Sequence, residues 1–271
     1  MIDMKRLVLC CAAVLLSALP AHAGKYMDWR NWTTVGNAIN PPQQSQWHIN
    51  LALGAGIAPE YLGSDEYTAV PLPLAEVEYR RTLFISTQRG LGYAFVKTRQ
   101  TRIGALASYD FGRDPGDSSQ LTGLPVIDGG VQTGLFMDYF TGPLRLSGEV
   151  TKELAGGHGG IVMRLDAAYG GRLSRNTSLI LGGVVHLVDD EYADSYFTVK
   201  EQFATRSRKE FAASGGLRDV GIYAQMIVDF AERYYVGFDA RASLLMGDAG
   251  DSTLVESDAQ MFGGVMVGYR F

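Results

Sequence analysis

The amino-acid sequence predicts an all-β protein, a transmembrane antiparallel up-and-down β-barrel of twelve strands. Three observations lead there. Apolar residues alternate at period two with Gly, polar or charged ones from Trp47 to Phe271, many of these segments run 11 to 13 residues, and short and long connections alternate between them. A tilted strand needs roughly 9 to 11 residues to cross a bilayer, whereas strands of soluble sheets average about 5 to 6.

Composition agrees with a folded chain. Of 271 residues, 46% are hydrophobic and 20% charged, with a formal net charge of −5 and a mean hydropathy of +0.00, so there is apolar surface to bury and too little net charge to favour disorder. The apolar stretch Leu7 to Leu19 is 13 residues long, short of the ~20 that a spanning helix needs. An acidic balance gives no support to nucleic-acid binding.

The first 23 residues read as a secretory signal: Lys5 and Arg6, then the apolar stretch, then Ala21-His22-Ala23 as a small-residue cleavage site. The mature chain is expected to start at Gly24. Both cysteines, Cys10 and Cys11, fall inside the signal, so the mature protein is expected to have no disulfide, thiolate nucleophile or cysteine metal site. Removing Asp3, Lys5 and Arg6 takes away one net positive charge and turns −5 into −6. Residues 24–45 lack the alternation, end in Pro41-Pro42 and a polar run, and are expected to form a loosely held periplasmic arm carrying Trp29 and Trp32. Residues 46–271 are assigned to the barrel.

Each strand shows one apolar face and one Gly-rich or charged face. Met261, Gly263, Val265, Val267, Tyr269 and Phe271 oppose Phe262, Gly264, Met266, Gly268 and Arg270; Ile161, Met163, Leu165 and Tyr169 oppose Arg164, Asp166 and Gly170. Small residues and opposite charges on one face fit a narrow lumen, where facing side chains must interlock. The pairs Arg164 and Asp166, Asp239 and Arg241, and Arg145 and Glu149 are expected to project there.

Loop lengths fix the count. Short connections at Tyr79–Thr82, Lys97–Gln100, Thr141–Pro143, Leu173–Asn176 and Ala231–Arg233 alternate with long ones at Pro59–Tyr67, Arg113–Ile127, Leu154–Gly159, Asp189–Gly216 and Gly247–Asp258, as periplasmic turns and external loops do. Strict alternation requires Thr82–Lys97 to split into Thr82–Gln88 and Leu91–Lys97, with Arg89-Gly90 as a tight external turn. Strands returning to the periplasmic side finish in Tyr79, Phe95, Tyr139-Phe140, Tyr169, Phe230 and Phe271, an interfacial aromatic girdle. The terminal Phe271, behind Tyr269, Val267 and Val265, resembles the C-terminal signal read by the bacterial barrel-assembly machinery.

Catalytic groupings are sparse. The mature histidines are His48, His158 and His186, followed two residues later by Asn50, Gly160 and Val188, so the His-x-Ser pattern of an outer-membrane phospholipase is absent. His48 and His186 are expected to hydrogen-bond inside the lumen. His158, in Gly156-Gly157-His158-Gly159-Gly160, is expected at a tight loop tip with a pH-sensitive side chain. Asp189-Asp190-Glu191 and Asp194 form an acidic cluster without the ligand pattern of a calcium loop and are expected to be solvated. No catalytic, cofactor or metal residue is assigned.

Several local words resemble one family: Leu53-Gly54-Ala55-Gly56 with Pro59-Glu60-Tyr61-Leu62-Gly63-Ser64-Asp65, Tyr109-Asp110-Phe111-Gly112-Arg113-Asp114, Gly156-Gly157-His158-Gly159, Asp189-Asp190-Glu191-Tyr192-Ala193-Asp194-Ser195-Tyr196-Phe197, and Gly268-Tyr269-Arg270-Phe271. Over residues 47–271 the chain resembles the MipA/OmpV family of outer-membrane proteins. The resemblance implies a non-enzymatic scaffold that tethers a lytic transglycosylase and a murein synthase to the bacterial outer membrane, and it brings no catalytic residues to carry over. Two other functions stay open on the residues alone: a small diffusion or uptake channel using the lumen charges, and a surface adhesin using the Arg113 and Asp189 loops.

Overall fold

A computed structural model describes residues 46–271; the signal and the arm lie outside the described residues. The chain forms β1 (Trp47–Pro59), β2 (Tyr67–Tyr79), β3 (Leu83–Ser86), β4 (Gly90–Lys97), β5 (Thr101–Asp110), β6 (Gly130–Thr141), β7 (Leu144–Ala155), β8 (Ile161–Arg172), β9 (Thr177–Val188), β10 (Gly216–Asp229), β11 (Tyr234–Leu245) and β12 (Ala259–Arg270). Each pairs antiparallel with its sequence neighbours, and β1 pairs β12 from Asn50↔Arg270 to Ile57↔Gly263, which closes the barrel. Closure leaves neither β1 nor β12 with a free terminal edge, as β-structure in lipid requires. Two short helices, α1 (Asp190–Phe197) and α2 (Gly247–Asp251), lie in the long loops. Among the described residues, no helix is long and apolar enough to cross a membrane.

Parity sorts the residues as predicted. Along β8, exposure and burial alternate from Ile161 to Gly170, with Ile161, Met163, Leu165 and Tyr169 outward and Arg164 and Asp166 buried inside. Outward Leu53 is 68% exposed, a value that suits lipid and not water. The predicted girdle forms at the short-turn end: Phe230, Tyr234, Tyr269 and Phe271 follow one another at ring-centroid distances of 5.9, 4.8 and 4.6 Å, and Trp47 lies 4.6 Å from Tyr79.

The β3–β4 hairpin differs from expectation in one respect. The split falls where loop alternation demands it, but β3 is only 4 residues long, and Arg89 is buried in the lumen and not displayed on an external turn. A consequence appears in β2. It pairs with β3 only from Glu76 to Tyr79, whereas it pairs with β1 along its whole length. The last link is Ala75, whose carbonyl accepts from the Thr87 N–H at 3.0 Å. Successive residues of a strand turn their backbone groups to opposite neighbours, so Pro73 and Pro71 share Ala75's side. Proline has no N–H, so the two positions facing this half-open seam carry no donor to leave unsatisfied.

Candidate functional site

Three packed layers occupy the barrel interior. The first is an ion-pair network on the wall from β2 to β8. Arg89 donates through Nη1 to Asp138 at 3.1 Å and through Nε to Glu149 at 3.3 Å, and Arg102 bridges Glu78 at 2.7 Å and Asp138 at 3.0 Å. Ser147 donates to the other oxygen of Asp138 at 2.7 Å. Beside it, Asp166 accepts from Arg145, from Arg164 at 3.2 Å and from the Tyr223 hydroxyl at 2.9 Å. Four guanidinium groups meet four carboxylates, all buried, so the charges offset one another as burial requires. Arg89 also stacks 4.7 Å from the Phe136 ring centroid.

The lumen is narrow enough that a glycine decides one of these contacts. Tyr223 lies flat over Gly182, where an added Cβ would sit 2.2 Å from the tyrosine ring. Any side chain there would push the hydroxyl off Asp166.

A second group centres on Asp219, which lies 2.8 Å from Nδ1 of His186 and accepts from Arg218 Nε at 2.7 Å; Arg241 stands 3.9 Å away. His186 is thus the lumen hydrogen-bonder that its parity predicts, while His48 is half-buried. The third layer is apolar: Val70, Leu72 and Leu74 of β2 pack with Ala58, Tyr235 and Met266.

Of the three expected lumen pairs, only Arg164 with Asp166 is bonded within its own strand. Arg145 turns to Asp166 and Glu149 to Arg89; Asp239 accepts from Gln225 at 3.2 Å, and Arg241 faces Asp219. Parity places a charge inside but does not choose its partner, which depends on register and tilt.

The long loops fold over the opposite end of the barrel as a cap with its own core. Tyr61, Leu121, Leu124, Val199 and Leu254 form one cluster, and Ile127, Val162, Tyr192, Tyr196, Phe197 and Ala249 another. Arginines tie the segments: Arg113 donates to the Tyr196 carbonyl at 2.6 Å, and Arg208 to the carbonyls of Gln120 and Phe203 at 2.5 and 2.8 Å. The acidic cluster builds α1. Asp189 caps it by accepting the Tyr192 N–H at 3.0 Å, Asp190 accepts the Gly215 N–H at 2.7 Å, and Glu191 and Asp194 pair with Lys152 and Lys200.

His158 is not at an exposed tip. It is 5% exposed, 4.7 Å from the Tyr192 ring and 5.7 Å from Tyr196, with Glu153 at 3.6 Å and Asp110 at 3.9 Å. Its Nδ1 lies 2.9 Å from the Gly160 N–H, and its Nε2 lies 3.2 Å from the Gln132 side-chain nitrogen. Burial holds the imidazole below its ordinary pKa, with Asp110, Glu153 and Asp189 pulling it up and Arg218 down. A His depressed in the folded state gives stability that is complete above its unfolded pKa and lost as pH falls through the folded value. The cap should therefore loosen on acidification from about pH 6.5 downward, read as faster chymotrypsin cleavage of the loops; His158→Gln should flatten that pH dependence.

The family described as MltA-interacting protein MipA matches residues 51–271. The chain belongs to the MipA family. This MipA-family barrel resides in the bacterial outer membrane. Comparison with curated proteins finds no match. Among solved structures, NanC porin aligns at a TM-score of 0.41 and 9% identity, covering 82% of this chain and 100% of that one. OmpF of Salmonella typhi aligns at 0.39 and 10%, covering 83% and 97%, and OmpT of Vibrio cholerae at 0.34 and 9%, covering 85% and 99%. The MipA-family assignment does not rest on these distant likenesses.

Proposed function

We propose that this MipA-family barrel is a non-enzymatic scaffold that tethers murein-processing enzymes, a lytic transglycosylase and a murein synthase, to the outer membrane. The family's description as MltA-interacting supports a partner-binding role. The observation that favours a scaffold over a channel is the interior: eight interlocked charges, an apolar layer and a capped mouth occupy the path that a solute would take. What such a barrel presents to the periplasm is its short turns and the arm, residues 24–45.

Photo-crosslinkers placed in cells at Trp29, Trp32 and Arg175 should capture a murein hydrolase or synthase, identified by mass spectrometry. Recovery of neither from any of the three positions would rule the scaffold out.

A further inference from the structure

The two ends of the barrel carry opposite charge. At the short-turn rim, Arg80, Lys97, Arg99, Arg172, Arg175 and Arg233 are exposed, against exposed Glu232. The long-loop end exposes Asp65, Glu66, Asp128, Asp190, Glu191 and Asp194 among its carboxylates. A chain of net charge −5 has thus gathered cations at one rim.

One corner of that rim is conformationally unusual. The β2–β3 hairpin turns through Arg80 and Arg81, at φ 51° and 56°, the positive-φ non-glycine residues of the described chain, with the Thr82 N–H bonded to the Tyr79 carbonyl at 2.9 Å. A two-residue turn with both central φ positive favours Asn-Gly, because Cβ crowds the following carbonyl in this region. Two arginines here strain the backbone and place like charges side by side, so hairpin formation does not account for them. Backbone strain that the fold itself does not need points to a binding role.

Their surroundings indicate the ligand. Arg80 lies 5.1 Å over the Tyr79 ring and Arg81 5.6 Å over Phe140, both rings of the interfacial girdle. Lys97 closes the corner, donating at 2.8 Å to the Arg80 carbonyl and to Thr82 Oγ1. Arg80 also donates to Gln46 Oε1 at 3.0 and 3.2 Å, and Arg81 to the Thr98 carbonyl at 3.5 Å. These bonds leave N–H donors on all three cations. Aromatic rings of a girdle sit at headgroup depth, so the donors stand level with lipid phosphates, an anion that guanidinium recognises with matched geometry.

We propose that the corner formed by Arg80, Arg81 and Lys97 binds the phosphate of an anionic phospholipid in the inner leaflet of the outer membrane. Trp47 is a built-in reporter, because it contacts Tyr79 beneath Arg80; the other tryptophans, Trp29 and Trp32, are replaced by Phe for the measurement.

The full-length barrel is reconstituted in phosphatidylcholine vesicles containing a small equal fraction of brominated phosphatidylglycerol or brominated phosphatidylcholine. Phosphatidylglycerol should quench Trp47 about three-fold more strongly at low salt and lose that advantage as salt rises. Arg80→Asn with Arg81→Gly should abolish the preference while leaving the thermal midpoint unchanged or raised, since it installs the turn's favoured residues. Lys97→Gln, which keeps Arg80 and Arg81 in the turn and removes only the third cation, should reduce the preference by itself. Equal quenching by both lipids in the parent protein, or a preference that survives in both variants, would overturn the site.

Discussion

Asp138→Ala should lower barrel stability by about 3–5 kcal/mol, the cost of removing one partner from a buried charge group. Asp138 is 0% exposed and is shared by Arg89, Arg102 and Ser147. Its loss leaves two guanidinium groups facing each other with only Glu149 and Glu78 to offset them, deep in a wall where water is scarce. Ser147→Ala removes a neutral donor from the same carboxylate and should cost only about 1 kcal/mol. Urea titration in vesicles, followed by heat-dependent gel mobility, measures both. Equal midpoints for Asp138→Ala and Ser147→Ala would show that the network does not hold the wall.

Phe197→Ala should act on the cap and spare the barrel. The ring is 1% exposed, inside the cluster of Ile127, Val162, Tyr192, Tyr196 and Ala249, and the Phe197 carbonyl accepts from Ser252 Oγ at 2.6 Å. Emptying that volume costs about 3–5 kcal/mol, equivalent to a shift of roughly two to three and a half orders of magnitude in the cap's opening equilibrium. Chymotrypsin should then cut after Leu121 or Tyr192, while the gel-shift temperature stays that of the parent. A joint fall in both would mean that cap and wall melt as one unit.

The wall was legible in the sequence because a period of two is a strong, repeated signal. Ile161 to Tyr169 needs no register to be sorted into lipid-facing and lumen-facing residues, and the alternation of loop lengths alone requires the short β3. Partnering was not legible. Arg145 and Glu149 share a face of one strand, yet each bonds to another segment, because neighbouring strands bring those partners closer than their own strand does. His158 was misplaced for a related reason: a glycine-rich sequence looks like a tip, whereas the structure uses those glycines to fold the loop back under α1. The cap has a signal of its own in the sequence. Leu121, Leu124, Tyr192, Tyr196, Phe197 and Val199 form an apolar set in aperiodic loops, which have no reason to carry it unless the loops pack on one another.

The seam between β2 and β3 gives this barrel a place to tear. Only the neighbouring β3–β4 ladder is as short, and above Ala75 the β3 side of β2 has no strand to lose. Heat or a pulling force should part the cylinder there first, with β2 still held to β1 by pairing from Trp47 to Pro59. The torn rim would not become a template for a stray chain, since at Pro71 and Pro73 it offers carbonyls and no N–H. Failure begins at a fixed line and stops short of aggregation.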